Sequence, residues 1–307
     1  MIPATETPGE PQMNRADELR VGTQQLLAGM RPFGPLTLAD VGSFGGLHRR
    51  WDLLTGQLQA IQFDPRGTGE NEQTGAHPTI THPVGLADEP GTRTLHLVAF
   101  GNMSSLLPPN QALMSRFRKA GERVRVVDQS SIAVSTLDRI RDENDYNIDM
   151  IKVDTQGTEL DILRGARSCL KSTILGAEIE VSFFERYREQ ASFTDIVSEM
   201  NSHGFELIDL FQMRRYQHLS PTNIGKQKVP GLGQTGRLAY ANALFVLKES
   251  KLEMRMNALG EAERRNILHK VIAILLVYGK IDIAGWFIDR HNKTIGKLRP
   301  NFTRLMD

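Results

Sequence analysis

The stretch Leu36-Thr37-Leu38-Ala39-Asp40-Val41-Gly42-Ser43-Phe44-Gly45-Gly46 sets the fold. A short apolar run ends abruptly in a glycine-rich turn, and glycine is the residue that accepts positive φ and lets a ligand approach the backbone. Strand, glycine turn and helix is the expected order, with the helix offering its unpaired N–H groups to a nucleotide-like ligand. Gly42 followed by Gly45-Gly46 departs from the GxGxxG spacing of dinucleotide sites, and Asp40 stands two residues before the first glycine. An acid there suits the cationic sulfonium and amino group of S-adenosylmethionine better than a pyrophosphate. A plain βα turn is the alternative reading of these residues.

Working outward, Gln59 to Phe63 is a second apolar run, closed by Asp64-Pro65 because proline cannot donate to a ladder. Asp64 therefore sits at a strand's carboxyl end, where doubly wound folds present an acid to both ribose hydroxyls. Upstream, Arg15 to Leu27 has helical periodicity. From Thr79 to Leu107 the pattern is two or three short strands, interrupted by Asp88-Glu89-Pro90-Gly91. Asp88 is a candidate for the adenine side of the site, against a simple β-turn role. Val134 to Arg141 reads as a helix, Ile148 to Val153 as a buried strand stopping at Asp154, and Leu160, Leu163, Ala166 and Leu170 as the helix after it. Ile174 to Phe184, Phe193 to Met200, Phe205 to Phe211 and Ala241 to Leu247 continue as strand, helix, strand and strand, with the long Ser220 to Arg237 stretch as a loop. Such alternation implies a parallel sheet covered by helices.

Two further acids need a reason. In Ile151-Lys152-Val153-Asp154-Thr155-Gln156-Gly157-Thr158-Glu159, Asp154 lies at a strand tip, and Gly157 stands where alanine would be favoured by about 1 kcal/mol. Asp154 is either catalytic or an N-cap, and Glu159 either functional or a complement to the helix dipole. Glu178 and Glu180 share one face of a strand that should be apolar throughout, so they line a cleft or reach solvent.

IKVDTQGTELDILRGA, AEIEVSFFERYREQASFTDIV and HGFELIDL resemble the FkbM-type methyltransferases, with ADVGSFGG, IQFDP, VSTLDRI and ANALFVL at matching places, over roughly Leu36 to Lys248. The resemblance implies an α/β, Rossmann-like class I methyltransferase fold: a mostly parallel seven-stranded sheet with an antiparallel last strand, here followed by a C-terminal helical extension. It implies S-adenosyl-L-methionine as cofactor, held by Asp40, Gly42, Ser43, Gly45 and Asp64, with Asp88 added on the adenine side. It further implies transfer of a methyl group to a hydroxyl of a sugar, glycan or natural product. Asp154 and Glu180 become the candidate catalytic residues, Asp154 first. Asn242 departs from an acid the family often carries there, which bears on acceptor choice.

Composition bounds the remaining classes. Over 307 residues, 37 Lys and Arg against 36 Asp and Glu leave a net charge of +1, without the basic excess that nucleic acids attract. Disorder is excluded by 40% hydrophobic residues. One cysteine, Cys169, builds neither a disulfide nor a thiolate zinc cage, and the histidines lack metal-site spacing, so no metal and a reducing, cytoplasmic setting are expected. The start, residues 1–12, reads as a leader without a secretion signal, and Val271 to Tyr278 is far too short to span a bilayer. The division expected is 1–35 leader and helix, 36–248 methyltransferase domain, and 249–307 helical extension, packed on its own domain or forming a homodimer seam. A cofactor-binding sensor or assembly protein without turnover and an NAD-dependent oxidoreductase are the competing readings.

Overall fold

The computed structural model describes residues 15–30, 34–43, 46–66, 77–220 and 235–295, and the side chains of the first helix from Val21 onward. Its strands are β1 (Leu36–Val41), β2 (Leu58–Phe63), β3 (Thr79–His82), β4 (Gly85–Leu86), β5 (Gly91–Val98), β6 (Val126–Ser135), β7 (Met150–Val153), β8 (Gly176–Ser182), β9 (Phe205–Tyr216) and β10 (Arg237–Leu247). Its helices are α1 (Arg15–Gly29), α2 (Gln111–Met114), α3 (Ala120–Arg123), α4 (Leu137–Asn144), α5 (Glu159–Arg164), α6 (Arg167–Ser172), α7 (Phe193–Ser202), α8 (Glu249–Asn257), α9 (Glu261–Val277), α10 (Ile281–Arg290) and α11 (Asn292–Ile295).

Seven strands form one sheet in the order β3-β2-β1-β7-β8-β10-β9. The five from β3 to β8 run parallel, and β10 lies antiparallel to both its neighbours. This is the mostly parallel α/β sheet with an antiparallel last strand that the sequence leads one to expect. Every residue of β1 and of β8 is buried, as strands covered on both faces require. A small second sheet, β4-β6-β5, stands beside it.

The two faces are covered differently. On one, α5 and α7 pack against β8, with Ile162, Leu163, Ile196 and Met200 in the core. On the other lies α9, whose residues Leu268 to Val277 are all buried. A Cβ placed on Gly176 would sit 3.2 Å from Ile274, while the Lys270 Nζ meets Asp149 at 2.6 Å and Tyr278 donates to Glu178. Thus α9 runs along the face carried by Gly176 and Glu178, and each large aliphatic it buries contributes roughly 1.5–3 kcal/mol. Arg255 of α8 donates to the Ile174 and Leu170 carbonyls at 2.7 and 2.6 Å, tying the extension to the end of α6. Among the described residues no helix is long and apolar enough to cross a membrane.

Two local expectations are corrected. Val134 and Ser135 end a strand, Thr136 caps the helix by accepting from the Arg139 N–H, and α4 begins only at Leu137. The strand β6 escapes detection because six of its ten residues are exposed, Val126 and Val127 among them, and the polar run Asp128-Gln129-Ser130-Ser131 interrupts its apolar residues. After Gly46 the chain forms a 3-10 helix, Arg49–Leu54, in place of the expected α-helix.

Candidate functional site

The carboxyl tips of β1, β2, β7 and β8 meet at one cleft of about 390 Å³. Backbone bonds lace them together: the Gly42 N–H donates to the Phe63 carbonyl and the Asp154 N–H to the Val41 carbonyl, both at 3.0 Å. Gly42 has φ +79°, and a Cβ there would lie 2.0 Å from the Asp154 carbonyl oxygen. Only glycine lets the first turn close against the β7 tip. Loops and strands of the small sheet, and Tyr216, Tyr240 and Asn242 of β9 and β10, complete the lining.

Of the expected site residues, Gly42, Asp64, Asp154 and Glu180 line this cleft. Asp64 is 6% exposed, and its carboxylate accepts from the Arg66 backbone N–H at 2.8 Å and from the guanidinium at 3.0 Å on each oxygen. Asp40 does not reach the cleft. It lies in register with Lys152 on the neighbouring strand and pairs with that ammonium at 2.8 Å. Burial opposes the Lys152 charge, but Asp40 and Asp154 outweigh it and hold its pKa above the ordinary value. Ser43 is buried without lining the cleft, and Gly45 lies outside the described residues. Asp88 is exposed in a turn, faces Arg93 at 3.7 Å and is not among the residues lining the cleft.

Of the catalytic candidates, Asp154 lies in the turn after β7 and Glu180 on β8. Glu159 accepts from the Thr155 and Gly157 N–H groups at 3.1 and 3.0 Å, fixing a turn in which Gln156 takes φ +61°. Glu159 is thus a structural brace for this turn. Gln156 is thereby aimed inward, and its amide donates to Asp154 at 2.8 Å and Glu180 at 3.2 Å, bridging the two carboxyls. The fully buried Arg186 pairs with Glu180, donates to Ser182 at 3.0 Å, and lies 4.4 Å from the Tyr240 ring centre. Burial pushes the Glu180 carboxyl up, to about 8; Arg186 pulls the other way, and Asp154 and Glu159 add to the rise. Behind it, Glu178 accepts from Asn242 at 2.6 Å and from Arg50 at 3.0 Å, with the Arg50 guanidinium held between the Phe211 and Tyr278 rings.

Gln156, Arg186 and Tyr240 are site residues that the reading of the sequence did not single out. Gln156 and Arg186 sit inside the motif stretches quoted above, but neither type carries a spacing signal. Among the described residues no group of three His, Cys, Asp or Glu is placed to hold a metal.

The family model described as the methyltransferase FkbM domain matches residues 62–207. No curated protein matches the chain. Among solved structures, the methyltransferase FkbM from Methylobacillus flagellatus KT is similar at 15% identity and TM-score 0.35, covering 71% of this chain and 45% of that one. The chain therefore spans under half the length of that relative. The magnesium protoporphyrin IX methyltransferase (ChlM) from Synechocystis PCC 6803, with bound SAM, is similar at 10% identity and TM-score 0.34, covering 78% and 87% of the two chains. The 16S rRNA (adenine(1408)-N(1))-methyltransferase from Catenulisporales acidiphilia follows at 11% identity and TM-score 0.31, covering 78% and 96%.

Proposed function

We propose that the chain, whose residues 62–207 match the methyltransferase FkbM domain, is an S-adenosylmethionine-dependent methyltransferase that methylates a hydroxyl of a sugar, glycan or natural product. The observation that carries this reading is the convergence of Asp64, Asp154 and Glu180 on one cleft at the strand tips. The residues fit the donor. Gly42 leaves the first turn without a side chain, and the carboxyls in the cleft suit a ligand bearing a sulfonium and an amine.

When bound, the donor supplies a methyl group on a positively charged sulfur. Asp64 accepts the ribose hydroxyls, after Arg66, whose side chain is 32% exposed, has swung aside. Asp154, only partly buried, orients the acceptor hydroxyl and takes its proton. Glu180 is the second candidate for that proton, because a carboxyl held near 8 is a stronger base than an ordinary one. Gln156 keeps the two carboxyls at a fixed separation, and Arg186 with Ser182 fixes Glu180.

The acceptor is proposed to be a small molecule or glycan and not a nucleic acid, because the chain as a whole lacks a basic excess. A cytoplasmic setting is part of the proposal, in keeping with a single free, buried cysteine, Cys169. The C-terminal helices keep one large exposed aromatic, Trp286 at 49%, which suits a homodimer seam; light scattering decides it. The function itself is tested by incubating the full chain with methyl-labelled donor and a panel of hydroxylated acceptors. Label in an ether-linked methyl supports it, and label appearing only on nitrogen or carbon overturns the hydroxyl assignment.

A further inference from the structure

A second pocket of about 380 Å³ opens beside the cleft, sharing Met103, Arg123, Arg214, Tyr216 and Tyr240 with it. The sequence assigns it nothing, yet four of its lining residues are Arg118, Arg123, Arg214 and Arg215, and no acid lines it. In a chain of net charge +1 this is a concentrated local excess. Arg123 and Arg214 are shared with the cleft, whose other two arginines, Arg66 and Arg186, pair with Asp64 and Glu180. Among the described residues none of the four pocket arginines has a carboxylate within 4.0 Å.

The fold brings these arginines together by specific means. The Arg118 N–H donates to the Gln217 carbonyl at 2.9 Å and the Leu219 N–H to the Arg116 carbonyl at 2.8 Å, pinning the segment between α2 and α3 against the end of β9. Register shifts in the β9–β10 ladder, with Gln212 at φ +51°, break the strand's alternation. The adjacent Arg214 and Arg215 consequently line the same pocket, a use to which bulges beside active sites are often put. Arg123 is held with its guanidinium 5.1 Å from the Phe100 ring centre. Tyr216 and Tyr240, their ring centres 6.1 Å apart, stand between the two cavities.

We propose that this pocket receives an oxyanion, carboxylate or phosphate, carried by the sugar acceptor, so that the enzyme's substrates are acidic sugars. Guanidinium forks match both oxyanions in a planar, bidentate way. A sugar ring has apolar C–H faces that suit the tyrosines at the junction, with its hydroxyl passing toward Asp154. The size also suits this acceptor, since a volume of about 380 Å³ accommodates a monosaccharide with its charged group. The proposal rests on the cleft being the methyl-transfer site.

The test uses the full chain in calorimetric titrations with glucuronate, glucose 1-phosphate and glucose, with and without saturating S-adenosylhomocysteine, in wild type, R118A, R215A, the double variant, and R118K with R215K. Either acidic sugar binding at least tenfold more tightly than glucose supports the proposal, and the tighter of the two names the oxyanion. The double alanine variant is expected to lose that preference, the lysine pair to restore part of it, and added salt to weaken it in wild type. Equal binding of glucose and the acids, acid binding intact in the double alanine variant, or a single-stranded RNA oligonucleotide binding more tightly than either sugar overturns it. Titration of S-adenosylhomocysteine alone separates the two claims: its failure in wild type removes the donor site, while the anion preference stands or falls by itself.

Discussion

Asparagine in place of Asp64 tests the donor side of the cleft. The carboxylate accepts three hydrogen bonds, all from Arg66, at 2.8, 3.0 and 3.0 Å. The Arg66 side chain is 32% exposed, so solvent screens the pair and opening it costs about 1 kcal/mol or less. Two ribose hydroxyls donating to an ionised carboxylate return roughly 1.5–3 kcal/mol each. The net gain is about 2–5 kcal/mol, most of which a neutral amide with one acceptor oxygen loses. At about 1.4 kcal/mol per factor of ten, Asp64→Asn should raise the Kd for S-adenosylhomocysteine by roughly 30-fold or more. The melting temperature should move by only a few degrees, because the amide oxygen still accepts from the Arg66 backbone N–H. Arg66→Ala removes the competitor and should leave the Kd unchanged or lower. Calorimetry on the three proteins decides the matter. A Kd for Asp64→Asn within twofold of wild type, or an Arg66→Ala loss equal to it, would make the pair purely structural and move the ribose elsewhere.

Gly42→Ala places a methyl 2.0 Å from the Asp154 carbonyl at a φ of +79°, so thermal unfolding should reveal a loss above about 2 kcal/mol together with lost donor binding. Lys270→Met strands Asp149 in the core, where both partners are 5% exposed, and should cost about 3–5 kcal/mol in urea unfolding; pairing it with Asp149→Asn should recover part. The Glu180 carboxyl, held near 8 by burial, binds its proton more tightly folded than unfolded. Its contribution to stability is therefore complete below the ordinary carboxylate range and declines as pH rises toward about 8, a slope that Glu180→Gln should remove. If Glu180 takes the acceptor proton, kcat/KM rises with pH through about 8 and the same variant flattens that limb; an unchanged profile assigns the proton to another group.

How far the sequence speaks depends on what each feature needs. The central strands were legible because apolar runs such as Leu36–Val41 end in a glycine turn or, at Asp64-Pro65, in a proline that cannot donate, and Asp64 and Asp154 stood out as acids at the ends of such runs. Which strands are neighbours is not a local property, and it decides the partner of Asp40: in register with Lys152, it forms an ion pair with that side chain. Strand β6 was hidden by its exposure, and Asp88 by a context that suits a turn as well as a site. Gln156 acquires its role only from the φ +61° turn that Glu159 braces, and Arg186 only from meeting Glu180 across the fold. The apolar helix after Gly260 reads equally well as an interface or a core element, and its burial against the sheet face depends on Gly176 leaving room for Ile274.

A crystal of the full chain grown with S-adenosylhomocysteine bears most directly on the central claim. The account predicts density in the cleft with the ribose hydroxyls on Asp64, Arg66 displaced, and the sulfur turned toward Asp154 and Glu180. A ligand bound elsewhere, or bound with its sulfur directed away from both carboxyls, contradicts it.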